Sequence, residues 1–314
     1  MSNYKILNTV RLFVTAIGNQ FMFEIAEIFA EGFRKNGVSV ELLADEIPEI
    51  NVEDNLIQIV VAPHEFYPLY LEKELTPSEV LKVSRNIYVL NVEQPGSSWF
   101  EIAYETAKNA KGVFDINWQG VNEFNKRDVP ALHTPLGYEA LFFEAENFNR
   151  NISKQIDILF IGSHSQRREM FLSKNADFFS KYNCYFVMTR IDKPNLPSST
   201  GFYSGKKRNE LLKSSKIIIN IHFAERTYFE WHRILMAIGN HCLMISEPSN
   251  YIEPLVNGKH FVTTEIEDII CRCQYYLENE SEMYRLTEQA YDFVINNYTA
   301  QILCSSLLNK LSNL

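Results

Sequence analysis

The chain has 314 residues, 46% hydrophobic, 13% aromatic and 22% charged, which excludes a disordered polypeptide and supplies enough apolar material for two buried cores. A formal charge of -9 argues against a protein whose main affinity comes from nucleic-acid phosphates or anionic lipid. The five cysteines contain no two-residue-spaced pair suited to zinc and read as reduced thiols. No apolar segment approaches the roughly 20 residues that span a bilayer, and the expectation is a cytoplasmic protein.

In chain order, Arg11 to Ala16 predicts a strand. The turn of Gly18, Asn19 and Gln20 then leads into a helix with Ile25, Ile28, Phe29 and Phe33 on one face, stopped by Asn36 and Gly37. Strands follow at Val38 to Leu43, Leu56 to Ala62, Ile87 to Val92 and Gly112 to Ile116, with helices between several of them. Such alternation implies a parallel sheet. Polar residues stand at the strand ends: Pro63, His64 and Glu65 close one, and Glu93 to Gly96 close another ahead of a helix capped by Ser97 or Ser98. Val129 to Tyr138 ends this half with a strand and a turn, and Glu144 to Gln155 reads as a linker.

A second alternating unit begins at Asp157. Its first strand, Ile158 to Ile161, runs into Gly162, Ser163, His164 and Ser165, then a helix carrying Arg167 and Arg168. Glycine at a strand-to-helix turn lets a ligand approach the backbone, and N–H groups at a helix start favour phosphate. The sequence has neither the dinucleotide fingerprint nor the Walker loop. Further strands fit Tyr185 to Met188, Ile217 to Ile221, Cys242 to Ile245 and His260 to Val262, and helices finish the chain from Ile266. Lys206, Lys207 and Arg208 read as an exposed basic face.

The stretch from Ser215 to Glu247 is the most informative. Two buried strands release Asn220, His222, Ser246 and Glu247 at one edge. Between them, behind a loop of Glu225, Arg226 and Thr227, a helix begins with Glu230 and Arg233 one turn apart. In open α/β sheets ligands bind outside the carboxyl ends of the strands. Two similar halves, 1–150 and 151–314, with polar strand ends on each, place a cleft between domains.

The segments YVLNVEQPG, VFDINWQGVNEFNK, HTPLGY, DILFIGSHSQRREMFL, SKIIINIH and FEWHRILMAIGNHCLMISE, in that order from Tyr88 onward, resemble GT-B glycosyltransferases, specifically the bacterial CgeB-like and group 1-like enzymes. The resemblance implies an α/β fold of two Rossmann-like domains facing across a cleft. It implies transfer of a sugar from a nucleotide diphosphate donor to a glycan, protein or small-molecule acceptor. The carboxyl-terminal domain would hold the donor, the amino-terminal domain would present the acceptor, and the last helix would cross back to the first domain.

By motif, Gly162 and Ser163 fall near the donor phosphates, with Arg167 or Arg168 as charge partners. Glu230 and Arg233 line the donor site, Ser246 and Glu247 face the ribose or sugar, and His222 borders the same site. Neither cofactor nor metal is expected, since GT-B enzymes usually need none and the sequence has no aspartate-rich cation motif. Fixed donors must meet the charge growing on the departing phosphate, and Arg233, Arg168 and helix-start N–H groups can do so. Many retaining enzymes of this fold carry a second acid where Ile238 stands here, so the stereochemistry stays open. An inverting reaction needs a base, for which His64, Glu65 or Glu93 can serve. A nucleotide-sugar epimerase or phosphorylase of the same fold, or a noncatalytic nucleotide-sugar-binding protein, are the alternatives. The acidic balance weighs against nucleic acid as acceptor.

Overall fold

The structure, a computed structural model, describes residues 9–51, 55–144, 153–190, 194–199, 201–225 and 228–311. Arg226, Thr227 and most of the expected linker lie outside them. The chain divides into two compact units, Met1–Glu139 with Tyr298–Leu314, and Ala140–Asn297. The division comes at Glu139 rather than at 150, because the short helix that follows is tied into the second unit. The Phe142 carbonyl there accepts from Arg208 at 3.1 Å and from Asn209 at 2.9 Å, and the Phe143 carbonyl accepts from Asn240 at 2.8 Å.

The first unit holds a six-stranded parallel sheet: β1 (Thr9–Val14), β2 (Ser39–Ala44), β3 (Leu56–Val61), β4 (Tyr88–Asn91), β5 (Gly112–Asp115) and β6 (Ala131–His133), in the order β2-β1-β3-β4-β5-β6. Its helices are α1 (Gln20–Arg34), α2 (Pro63–Phe66), α3 (Glu72–Glu74), α4 (Pro77–Ser84), α5 (Ser98–Ala107) and α6 (Trp118–Lys126), with a π-helical turn, Tyr67–Leu71, joining α2 to α3. The apolar face of α1 is buried as its spacing demands, and Gly37, at φ 79°, ends the helix region. Ser97 caps α5 by accepting from the Phe100 N–H. Strand β3 passes straight into α2 because Ala62 takes a left-handed φ of 53°. A side chain disfavours that region by about 1–2 kcal/mol, and the turn holds His64 and Glu65 at the end of the strand.

The second unit comprises α7 (Ala140–Phe143), β7 (Ile156–Ser163), α8 (Gln166–Lys174), α9 (Ala176–Phe179), β8 (Cys184–Thr189), α10 (Gly205–Lys213), β9 (Ser215–Asn220), α11 (Trp231–Gly239), β10 (Leu243–Ser246), β11 (Val262–Thr263), α12 (Ile269–Glu278) and α13 (Glu280–Asn297). Its strands are all parallel, in the order β11-β10-β9-β7-β8. Ile158, Phe160, Ile217, Ile219, Leu243 and Ile245 form the centre of its core. The basic face expected on α10 is corrected at Arg208, which is fully buried and, as noted, donates to the Phe142 carbonyl. The last helix, α14 (Ala300–Leu311), belongs to the first unit and packs on α1.

The two sheets share one topology. In each, the first strand lies between the second and the third, so the winding reverses between β1 and β3 and again between β7 and β9. Crevices at such reversals are where open α/β sheets bind ligands.

Candidate functional site

At the reversal in the second unit, three guanidinium groups meet two carboxylates. Arg168 reaches from the first turn of α8 across to β9, donating from Nε to the Ile221 carbonyl at 2.8 Å and from Nη1 to the Ser163 carbonyl at 2.9 Å. Its side chain is 2% exposed and lies between the rings of Phe160 and Phe223, each 5.6 Å away. Its Nη2 is buried with no hydrogen-bond partner, although Glu230 Oε1 stands 3.6 Å off. Burial first, and the neighbouring Arg233 second, bring Arg168 down to about 10, which leaves it charged at neutral pH.

Glu230 precedes α11 and faces Arg233, whose Nε is 3.1 Å from Glu230 Oε2. Burial works to raise this carboxyl, but the charges of Arg233, Arg168 and His222 outweigh it and hold the group below its ordinary value. Arg233 Nη1 also donates to Asn220 Oδ1 at 2.7 Å. Arg167 grips Glu247 through both terminal nitrogens, Nη1 at 2.6 Å, and the same carboxylate accepts from the His222 N–H at 2.7 Å. Arg167, Arg168 and Arg233 thus face Glu230 and Glu247 directly, in a partly buried setting where charges are felt strongly, and Glu225 and Glu267 also act on Arg167. Arg167 also borders a depression of about 980 Å³ lined by Met170, Phe171, Lys174, Glu225 and Glu267, within the size range of small-molecule sites.

The structure corrects the local form expected of Gly162 and Ser163. They are the last two residues of β7, paired with Met188 and Thr189, and not a loop. A Cβ at Gly162 would stand 3.0 Å from Arg168 Nη1 and 3.1 Å from the Phe160 ring, tight contacts that those side chains would have to ease. Ser163 contributes its carbonyl to Arg168. The cap of α8 is Ser165, which already accepts the Arg168 N–H. Ser246 is buried, its hydroxyl held between Asn220 Nδ2 at 3.0 Å and the Glu247 carbonyl at 2.9 Å. His222 turns its ring toward Pro248 O and Ser249 Oγ, each 3.2 Å from Nε2.

At the reversal in the first unit the side chains are acids. The Asn19 N–H, in the turn after β1, donates to Glu65 Oε2 at 2.7 Å, and a Cβ at Gly18 would overlap that oxygen. His64 Nε2 lies 3.3 Å from Glu93 Oε1, and the His64 side chain is 2% exposed. Burial draws His64 down to about 3, so the ring is neutral. Burial pushes Glu65 up to about 7 against the pull of the Asn19 N–H. Glu93 is also pushed up to about 7, by burial and then by the charge of Glu65. Behind them Asp115 is completely buried, accepting from Asn91 Nδ2 at 2.7 Å and from the Asn117 N–H at 2.8 Å, and burial raises it well above the usual carboxyl range. Two carboxyls so placed can exchange a proton near neutral pH. Among the described residues no group of His, Cys, Asp and Glu side chains is arranged to hold a metal ion, and no helix is long and apolar enough to cross a membrane.

Sequence reasoning thus found ten of the side chains at these two edges but treated Asn220 only as a strand end and Asn19 only as a turn residue, and passed over Asn91 and Asp115. A shared signal marks three of the four. Asn91, Asp115 and Asn220 are each the final residue of an otherwise apolar buried strand.

Residues 192–308 match a family described as glycosyl transferase-like. An uncharacterized protein of Acanthamoeba polyphaga mimivirus is 25% identical over 231 residues, 72% of this chain and 74% of its own length. Among solved structures, TarM aligns with a TM-score of 0.56 and 12% identity over 81% of this chain and 54% of its own, so the chain spans about half of TarM. HepE of Anabaena, solved with UDP and glucose, aligns with a TM-score of 0.65 and 9% identity over 97% of this chain and 100% of its own. An alpha-glucosyltransferase solved with UDP and a 13-mer DNA gives 0.64 and 12%, over 97% and 100%.

Proposed function

We propose that this chain, GT-B in fold and glycosyl transferase-like over residues 192–308, moves a sugar from a nucleoside diphosphate donor to an acceptor hydroxyl. The observation that carries the reading is the guanidinium cluster at the β7/β9 reversal, with the unmatched, buried Arg168 Nη2. A diphosphate supplies the oxygens this cluster lacks. Its negative charge grows as the bond to the sugar breaks, so donors fixed beforehand act on the transition state more than on the bound donor. Glu230 and Glu247 would hold sugar or ribose hydroxyls, and His222, Ser246, Gly162 and Ser163 support them through the contacts described. The depression beside Arg167 has room for the nucleoside.

In the first unit Glu93 would take the proton of the acceptor hydroxyl. Glu65 raises its proton affinity, and the neutral His64 positions it. The acceptor oxygen then bonds to the anomeric carbon as the nucleoside diphosphate leaves. A protein that only bound nucleotide sugars would have no use for such acids. With Glu93 as the base the anomeric configuration inverts, and NMR of the product reads this; retention removes the base role. The arginines supply the positive charge, so turnover is expected to persist in EDTA without cofactor.

The decisive test is thermal: a panel of nucleotide sugars including UDP-glucose should stabilise the protein, and Arg233→Ala should weaken that binding by about tenfold or more, the loss expected for charge-assisted hydrogen bonds. Failure of every nucleotide sugar to stabilise the wild-type chain would overturn the proposal.

A further inference from the structure

Trp118 is 44% exposed, although it is the first residue of α6 and directly follows β5 and its cap, Asn117. Helical side chains lean toward the amino terminus of their helix, which here is the carboxyl edge of the sheet. The indole stacks on His133, the last residue of β6, with centroids 4.4 Å apart and planes at 26°. One ring face is therefore fixed against the protein. His133 Nε2 is itself buried without a hydrogen-bond partner, so that the stack is not held by a polar bond through that atom. Trp99, in the first turn of α5 after β4, is also 41% exposed, whereas Trp231 is buried.

A large apolar ring left open to water and braced from behind is not needed for the core, whose aromatic members in this unit include Phe13, Phe66, Tyr67, Phe100 and Phe124. Its neighbours along the edge are the acids already described. The strands run β3, β4, β5, β6 side by side and parallel, so Glu65, Glu93, Trp118 and His133 follow the carboxyl ends of successive strands. From the end of β4, which Glu93 follows, to the end of β5, which Trp118 follows, is one strand spacing, roughly 5 Å, a span that a sugar ring covers. A flat apolar face beside carboxylates matches a carbohydrate, which offers a patch of C–H groups on one side of its ring and hydroxyls around the rim.

We infer that the acceptor is a carbohydrate, with a sugar ring stacked on Trp118 and a hydroxyl presented to Glu93. This deepens the transferase reading and rests on it for the word acceptor. The first-unit edge has no counterpart of the arginine cluster among the site residues named, so a phosphate-rich ligand finds less to bind there.

The test uses the full chain on an array of immobilised di- to tetrasaccharides, with single-stranded oligonucleotides and unmodified peptides as competing ligands. The wild type should bind at least one oligosaccharide. Trp118→Ala should bind it about tenfold or more weakly, while Trp118→Phe, which keeps a stacking face, should stay close to wild type. The rise in melting temperature with UDP serves as the folding control for both variants. Unchanged sugar binding in Trp118→Ala, or a wild type that binds only oligonucleotide or peptide, or one that responds to UDP yet binds no sugar, overturns the inference. A wild type that binds sugar through Trp118 but ignores UDP and every nucleotide sugar leaves the carbohydrate site standing and strikes the transferase reading instead.

Discussion

Arg168 shows how much of the donor edge depends on one side chain. Its guanidinium joins the end of β7 to the residue after β9 through two carbonyls, and a Cβ at Gly162 would crowd it. Of the first-unit residues, Glu93 permits a prediction with a sign. Glu65 and Glu93 each rise from 4.5 to about 7 in the folded chain, so between those values the folded state holds protons that the unfolded state has lost. Stability from these groups is therefore present at low pH and falls as pH rises toward 7 and just beyond. His64, drawn down from 6.5 to about 3, acts the other way, adding stability as pH climbs from 3 to 6.5. Above 6.5 only the carboxyl effect still changes. Glu93→Gln removes one of the two acids, so its stability relative to wild type should improve by roughly 2 kcal/mol between pH 5.5 and pH 8. Urea denaturation at both pH values measures it, and an equal pH response in the two proteins would contradict the placement of Glu93.

Elements carry the site because their ends do. β4, β5 and β9 each finish on a buried polar residue, and α6, α8 and α11 each begin beside a polar one. The alternation of apolar strands and capped helices was legible in the sequence, down to Ser97 and to the stop at Gly37, since local spacing and backbone preference decide those features. The role of Gly162 was not legible, because a glycine near a strand end looks the same whether it admits a phosphate or an arginine from the next helix. Nor was the burial of Arg208, whose partner lies far along the chain. The contacts that dock α14 on α1, a crossing the resemblance implied without naming its partners, are equally tertiary. A Cβ at Gly32 would stand 2.6 Å from Cys304 Sγ and 2.8 Å from the Ala300 carbonyl. Since the second of these is backbone and cannot swing aside, Gly32→Ala should destabilise the first unit by about 2 kcal/mol, read from its urea midpoint. A midpoint equal to wild type would show that the two helices separate easily.

For the whole molecule, the repeated strand order is the organising fact, with one unit gathering arginines at its reversal and the other gathering acids. On the proposed function, donor and acceptor chemistry fall to different units. UDP should slow amide exchange at the ends of β7, β9 and β10 and at the start of α8 and α11. With UDP at about 100 times its Kd the added protection approaches ~2.7 kcal/mol. Protection confined to the turn after β1 or to α6 would reverse the assignment. By itself the sequence determined the class of fold, the alternating elements and the strand ends where polar side chains collect, because these follow from short-range periodicity. Only the tertiary structure decided which of those side chains meet. The bond from Asn19 to Glu65, the approach of His64 to Glu93, the pairing of Arg167 with Glu247 and the stack of Trp118 on His133 each join residues from different strands, and strand order is set by long-range packing that no local pattern encodes.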